Sequence, residues 1–297
     1  MDARQLRYFL GVVDHRTFAR AAQELHISQP SLSQSIRQLE RSLRVDLFIR
    51  TGRGTELTEA GRQLLGPARQ VLRDLETAQA AVASARDLER GTVDIVTMPS
   101  AGIEPLTTLI RRFRDLHPGM SINAAAAFTS DEVVSAVSSG VSEVGLLGAS
   151  SHPPTADLPV IPLGSQPLIL VSPPGSVLET ASPDGATGLD GLEVVITPRG
   201  SIMRQVVDDF TAEGADVVVA AEVAHRTSLL PLVLAGVGHT VLPKSWEELA
   251  KASGCRVTGI TPPTTLHMFA VHRAQGLTPG ARAVVELLHG MSHPTHQ

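Results

Sequence analysis

The sequence predicts a multidomain chain: a small all-α winged helix-turn-helix head, a long linking helix, and then two α/β lobes. Three observations predict it. Residues 17–53, TFARAAQELHISQPSLSQSIRQLERSLRVDLFIRTGR, carry apolar residues at helical spacing, interrupted by one three-residue turn and followed by a basic hairpin. From Thr58 to about Arg90 the apolar positions recur in alternating steps of four and three. From Gly91 onward strand-like and helix-like segments alternate. The expected boundaries are 1–57 for the head, 58–90 for the linking helix and 91–297 for the body. Within the body, lobe one takes about 91–166 and 268–297, and lobe two about 167–267.

In the head, the first helix covers about Asp2 to Asp14, with Leu6, Phe9, Leu10 and Val13 as its inward stripe. The second runs from Thr17, a favourable N-cap, to Leu25, with Phe18, Ala21, Ala22 and Leu25 inward. Ala22 is small where a crossing helix must come close. The turn His26-Ile27-Ser28 drops Ile27 into the same core. A third helix starts near Gln29, with Pro30 in the first turn, where a missing N–H costs little. Its inward residues are Leu32, Ile36, Leu39 and Leu43. The outer face carries Gln29, Pro30, Ser33, Gln34, Arg37 and Arg41, with neither a large apolar residue nor a carboxylate. Gln pairs bidentately with the adenine edge, Arg with the guanine edge, and Ser hydroxyls reach phosphates or bases. Leu47-Phe48 closes the core. Arg50-Thr51-Gly52-Arg53-Gly54 then reads as a hairpin tip whose two cations suit the DNA backbone or a minor groove. The candidate DNA contacts are therefore Gln29, Pro30, Ser31, Ser33, Gln34, Arg37, Arg50 and Arg53. An ordinary three-helix bundle would share the helical pattern; the basic wing favours the DNA reading.

Charge supports that division. Residues 1–66 hold ten Arg against seven Asp and Glu, a balance of +3, which leaves −8 for the remainder of a chain whose total is −5. A basic head on an acidic body is the pattern of a double-stranded DNA reader joined to a separate module, with an affinity that falls as salt rises. The linking helix carries Leu64, Ala68, Val71, Leu75, Ala78, Val82 and Ala85 on one seam. Such a seam needs a partner, so it predicts a homodimer whose two heads read half-sites in successive major grooves. A helix packed on its own domain is the other reading. Pro67 inside the helix removes one backbone bond and predicts a mild kink.

In the body, strands are expected at 93–98, 121–128 and 143–147, with helices at 103–116 and 130–139 between them. A strand at 167–172 crosses to a second set, with strands at 193–197, 217–221 and 239–242 and helices at 201–213 and 227–235. A strand at 268–272 returns, and a helix at 279–289 closes lobe one. Two lobes with two crossings make a clamp. In open parallel sheets, ligands sit beyond the carboxyl ends of the strands, near helix N-termini. Those ends carry Ser100, Thr129, Arg199, Ser201, Arg226 and Thr227, with Arg204 about one turn further on. Hydroxyls, free backbone N–H groups and three arginines suit a carboxylate or another small anion, so these seven residues are the candidate effector contacts. The same hydroxyls would also serve as helix caps, and the arginines as partners of surface acids.

Other classes are poorly supported. The chain contains no G-x-S-x-G, H-E-x-x-H or P-loop motif, so no enzyme is indicated and no cofactor is called for. His289, His293 and His296 lack an acidic or thiol companion, and no metal site is expected. Cys255, the single cysteine, permits no disulfide within the chain and reads as structural. MDARQLRYFL enters an amphipathic helix directly, and no apolar run reaches membrane-spanning length, which predicts a cytoplasmic protein. A solute-binding protein would account for the body alone, and a nucleoid-type DNA binder without an effector is the alternative for the whole.

Taken together, FARAAQELHISQPSLSQSIRQLE, DLFIR and LTEAG, followed by a long helix, resemble the head of the LysR-type transcriptional regulators. LVLAGVGHTVLP at 232–243 is similar to their two-lobed, periplasmic-binding-protein-like effector domain. The resemblance spans essentially the whole chain. It implies a winged helix-turn-helix, dimer-of-dimers (tetramer) assembly, and a small co-inducer between the lobes that alters promoter binding or bending. It places DNA contacts on Gln29, Pro30, Ser33, Gln34, Arg37, Arg50 and Arg53, and effector contacts on Ser100, Thr129, Arg199 and Thr227, with Ser201 nearby. Three positions depart from the family pattern. Arg44 and Arg16 stand where glycine is usual, and Ile49 where an acid is frequent. At Arg44 the backbone must therefore avoid positive φ or tolerate some strain.

Overall fold

The computed structural model describes all residues except 52–53, 84–90, 154, 156, 179–186 and 293–297. In the head, α1 (Ala3–His15) begins at a capping box: the Asp2 carboxylate accepts the Gln5 backbone N–H, and the Gln5 side chain accepts that of Asp2. Thr17 caps α2 (Phe18–Glu24), and Ser28 caps α3 (Gln29–Leu43), with Pro30 in the first turn. Phe9, Ala21, Leu32, Ile36 and Leu39 form the fully buried centre. The inward stripe of α1 is Leu6, Phe9, Leu10 and Val12, with Val13 only half-buried. The sequence pattern places Val13 in that stripe; the structure puts Val12 there instead, since 12 and 13 lie about 100° apart and Leu6 and Phe9 turn the buried face toward 12.

The wing is an antiparallel pair, β1 (Phe48–Thr51) and β2 (Gly54–Leu57). It is fixed to α1 by Thr55, whose N–H donates to the Arg16 carbonyl at 3.1 Å. Thr58 then joins wing to helix: its hydroxyl donates to the Asp46 carbonyl at 2.7 Å and accepts the Gly61 N–H at 3.0 Å.

The long helix α4 (Glu59–Ala83) contains Pro67. Its seam is divided. Ala68 is fully buried against the head core, with Leu64, Leu65 and Leu72 packed around it, and Arg69 pairs with Asp14 of α1 at 3.2 Å. Val71 and Leu75 remain 40% and 42% exposed. The first turns of the helix thus belong to the head, and the apolar face left open begins at Val71. The side chains of Ala78 and Val82, and all of Ala85, lie outside the described residues.

Lobe one is built from β3 (Gly91–Thr97), α5 (Leu106–Leu116), β4 (Met120–Ala126), α6 (Ser130–Ser138) and β5 (Val144–Ala149), with β3 parallel to both β4 and β5. The crossing strand β6 (Val160–Ser172) starts earlier than Pro167. Pro162, Gly164 and Pro167 obscure it in the sequence, because proline and glycine ordinarily punctuate strands. Lobe two follows: β7 (Glu193–Ile196), α7 (Ile202–Ala212), β8 (Val218–Glu222), α8 (Leu229–Leu234), β9 (Thr240–Pro243), α9 (Glu247–Ala252) and β10 (Arg256–Gly259). The return strand β11 (Thr265–His272) and α10 (Pro279–Ser292) complete lobe one. Neither α9 nor β10 was expected, since both are short and lack a strong period.

β6 serves both lobes. Its first half pairs with β11; from Leu168 onward it pairs with β9 and β10. The sheet is therefore continuous through the hinge, in the order β10-β6-β11-β5-β3-β4, with β9 also on β6. One apolar cluster runs from Val93, Ile95 and Phe113 in lobe one to Leu170, Val194 and Ile196 in lobe two. Glu143, nearly fully buried, accepts both the N–H and the hydroxyl of Thr278 at 2.7 and 2.8 Å, which holds the start of α10 to the end of the β5 approach.

Candidate DNA-reading face and ligand cleft

The outer face of α3 presents Gln29, Pro30, Ser31, Gln34, Arg37 and Arg41 to solvent, with Ser33 half-buried. The face opposite is closed by Leu32, Ile36 and Leu39. Ser31 is partly committed to the helix cap, its hydroxyl lying 2.7 Å from that of Ser28. Glu40, the one acid in α3, turns away from the outer face: its carboxylate accepts the Leu47 N–H at 2.9 Å. Arg37, Arg41 and Arg44 line a shallow depression at the C-terminal end of the helix, together with Glu40, Val45 and Asp46. Arg44 holds the left-handed conformation, φ 58°, and so does Arg16, so the chain accepts strain at both positions. Arg50 lies in β1, with its side chain outside the described residues, as is all of Arg53.

In the body, a cavity of about 360 Å³ opens between the lobes. Met98, Ser130, Gly148, Ala149 and Ser150 contribute from lobe one; Arg199 to Ile202, Arg204, Gln205 and Asp208 contribute from lobe two. Thr129 caps α6 and Ser201 caps α7, so two helix N-termini approach the same space from opposite lobes. Thr129 lies close enough to Gly200 that its methyl would sit 3.4 Å from a Cβ there. Gly200 itself has φ 104°, a conformation reserved for glycine, which lets the chain turn from β7 into α7 against Thr129.

The seven candidate effector residues divide into three groups. Arg199, Ser201 and Arg204 line the cavity; Ser100 and Thr129 border it through Gly148 and Gly200; Arg226 and Thr227 do not line it. Ser201 is buried and engaged, its hydroxyl 2.7 Å from that of Thr197 and accepting the Arg204 N–H at 3.1 Å. Arg204 forms ion pairs with Asp208 and Glu222, both at 2.7 Å, and these two hydrogen-bonded carboxylates raise its pKa above the usual arginine value. Arg199 is exposed and has no ion pair among the described residues. The Ser100 hydroxyl is buried without a hydrogen-bond partner, and it would lie 3.0 Å from a Cβ on Gly148. Arg226 also has a buried, unpartnered guanidinium nitrogen, and burial lowers its pKa. Gln205 and Asp208 escaped the sequence reading. Their signal was available, because Ser201, Arg204, Gln205 and Asp208 fall at i, i+3, i+4 and i+7 on one helix face.

A helix-turn-helix head with a carboxylate-free outer face, joined by a long helix to a two-lobed clamp, defines a class of protein in which a DNA reader and a ligand sensor share one polypeptide. Residues 3–62 match the bacterial regulatory helix-turn-helix protein family, lysR type, and residues 86–292 match the LysR substrate binding domain. The chain therefore belongs to the LysR family: it is a DNA-binding transcription regulator with an effector-binding domain, and not an enzyme. The HTH-type transcriptional regulator IlvR of Caulobacter vibrioides is 32% identical over 295 residues, covering 97% of each chain. The nitrogen assimilation regulatory protein nac of Klebsiella aerogenes is 30% identical, covering 97% of this chain and 94% of that one. Among solved structures, full-length CbnR complexed with its target DNA shares the fold at TM-score 0.68, with 24% identity over 99% of this chain and all of that one. A full-length OxyR variant from Pseudomonas aeruginosa does so at TM-score 0.70, with 20% identity, covering 98% and 94%.

Proposed function

We propose that α3 enters the major groove of promoter DNA through Gln29, Pro30, Ser31, Ser33, Gln34 and Arg37, while Arg50 and Arg53 of the wing lie along the backbone. The observation that carries this assignment is the composition of the outer face: polar and cationic groups stand outward, and Glu40 is turned onto the Leu47 N–H. Along the stretch from Gln29 to Arg37 phosphate would meet no carboxylate, the nearest acids, Glu40 and Asp46, lying at the C-terminal end of the helix. The protein acts in the cytoplasm as a homodimer through α4, paired into a tetramer, which supports reading of spaced half-sites. No described helix is long and apolar enough to cross a membrane.

The interlobe cavity takes a small carboxylate. Two helix N-termini and the unpaired Arg199 supply positive potential, the Ser100 hydroxyl supplies an unused polar group, and Arg204 is already neutralised by its own acids. Ligand closure of the lobes then alters promoter binding or bending. The test is footprinting on the protein's own upstream region. Gln34→Ala and Arg37→Ala should each weaken selective binding by about 1–3 kcal/mol with the oligomer intact, and unchanged footprints in both would refute the assignment. A binder that compacts DNA without an effector would instead protect random duplex equally, with no response to small carboxylates.

A further inference from the structure

A second cavity, of about 560 Å³, opens at the hinge and shares no lining residue with the interlobe cleft. Its volume lies within the range of roughly 300–1,000 Å³ usual for small-molecule sites. Its walls come from both lobes and from the strands between them. Glu104, just before α5, and Met291, near the end of α10, belong to lobe one. Gln166 and Met268 lie on the crossing strands β6 and β11, and Lys244 and Ser245 follow β9 in lobe two.

The polar groups here are incompletely used. The Ser245 hydroxyl is buried without a hydrogen-bond partner. Leaving a buried hydroxyl unpaired is costly, so a native cavity that retains one has a reason to do so. The Gln166 carbonyl oxygen accepts the Ser245 N–H at 2.9 Å, which turns the amide so that its NH₂ donors remain available. Lys244 is exposed and forms no ion pair among the described residues, the neighbouring Glu247 being paired with Lys251. Glu104 accepts the Thr108 hydroxyl at 2.8 Å through one oxygen and meets no cation within ion-pair distance among the described residues. One unpaired cation and one unpaired carboxylate thus share a cavity with Met268 and Met291, whose flexible thioethers mould to apolar bodies.

We propose that this hinge cavity binds an apolar α-amino acid as a second effector. The Lys244 ammonium and the Gln166 amide take its carboxylate. The Glu104 carboxylate and the Ser245 hydroxyl take its ammonium, and the two methionines take its side chain. A plain carboxylic acid is disfavoured by Glu104 and a plain amine by Lys244, so the opposed pair selects a zwitterion. Occupancy ties lobe one to lobe two at the hinge, because the two charged anchors sit on different lobes. It also reaches the cleft: Met268 is the register partner of Gly148, which lines the cleft. The two sites are therefore coupled through a single strand spacing, and each ligand shifts the affinity for the other.

The test is isothermal calorimetry on the full chain, with L-leucine and L-methionine as probes and 4-methylpentanoate and 3-methylbutylamine as analogues lacking the ammonium or the carboxylate. The amino acids should bind, and each analogue should bind at least about tenfold more weakly. Lys244→Ala and Glu104→Gln, both changes at solvent-accessible positions, should each cost about tenfold, while Arg199→Ala in the cleft leaves the affinity unchanged. No binding by either probe, or by L-valine, L-isoleucine or L-phenylalanine, at about 10 mM overturns the proposal, since that limit is already weaker than millimolar affinity. Equal binding of an analogue overturns it as well. Loss of binding in Arg199→Ala with retention in Lys244→Ala would assign the amino acid to the cleft and also overturns it. The first two of these outcomes leave the reading of the cleft untouched, and the third agrees with it, so failure of this proposal is distinguishable from failure of that one.

Discussion

Gly61 has no room for a side chain: a Cβ there would lie 2.3 Å from the Leu47 carbonyl oxygen. Because that obstacle is backbone, relief would require separating α4 from the wing. Gly61→Ala should therefore destabilise the head by about 1–3 kcal/mol, read as a lower urea midpoint at unchanged slope. The arginines at 16 and 44 behave differently. Both are left-handed, yet each has a use for its backbone: the Arg16 carbonyl accepts the Thr55 N–H, and the Arg44 N–H ends α3 on the Arg41 carbonyl. The family glycine is absent at both sites, and the local hydrogen bonds retain its geometry. In lobe two, His239 Nδ1 lies 2.8 Å from the Ser172 hydroxyl. Burial pushes the imidazole pKa below its ordinary value, partly offset by the Glu193 carboxylate. The unfolded chain thus holds the extra proton more readily, and the contribution of the neutral ring is complete above about pH 6.5, the unfolded value. It is lost as pH falls through the lower folded value. Thermal unfolding followed from neutral to mildly acidic pH should show a steeper loss in the native chain than in His239→Gln; parallel profiles would exclude this ring as a contributor.

At the scale of elements, α4 does two jobs that its sequence pattern does not separate. Leu64 and Ala68 follow the same alternation as Val71 and Leu75, yet the first pair packs on the head while the second remains exposed. Heptad spacing identifies which residues share a stripe and says nothing about which surface meets each part of it. The open part is the dimer face we propose, and Leu75→Asp should convert dimers to monomers in light scattering while circular dichroism stays native. Retained dimer size in that variant would move the interface elsewhere. The two crossing strands show a related limit. Pro162, Gly164 and Pro167 read as punctuation, but β6 spans them because its early half has β11 on one side only, so a missing N–H on the open side removes no ladder bond.

For the whole molecule, reading DNA and sensing a ligand are physically separate, one in the basic head and the other in the acidic body. Arg199→Ala should therefore abolish the response to an effector carboxylate in a reporter assay while basal promoter binding stays within about twofold, a change well under 1 kcal/mol. Loss of promoter binding together with the response would place Arg199 in a structural role. Only a few of the seven effector candidates are brought together around the cavity, and the reason lies in local chemistry. Ser201 and Thr129 are the residue types that cap helices, and they do so here; Arg204 is surrounded by Asp208 and Glu222, which no linear spacing from Glu222 announces. The sequence pattern located the strand ends to within about two residues and could not say which of their side chains were already engaged.

The sequence by itself determined the three-part order, the DNA-reading helix with its caps, and the existence of two α/β lobes, because each of these follows from short-range periodicity and from residues within a turn of one another. Tertiary structure alone decided how the α4 seam is shared between head and solvent, where β6 changes partners, and which polar groups remain unpaired at the cleft and the hinge. Those outcomes depend on contacts between residues tens to hundreds of positions apart, such as Gly61 with Leu47, Gln166 with Ser245 and Glu143 with Thr278. Burial and pairing are properties of the packed chain, and no local window contains both members of such a pair.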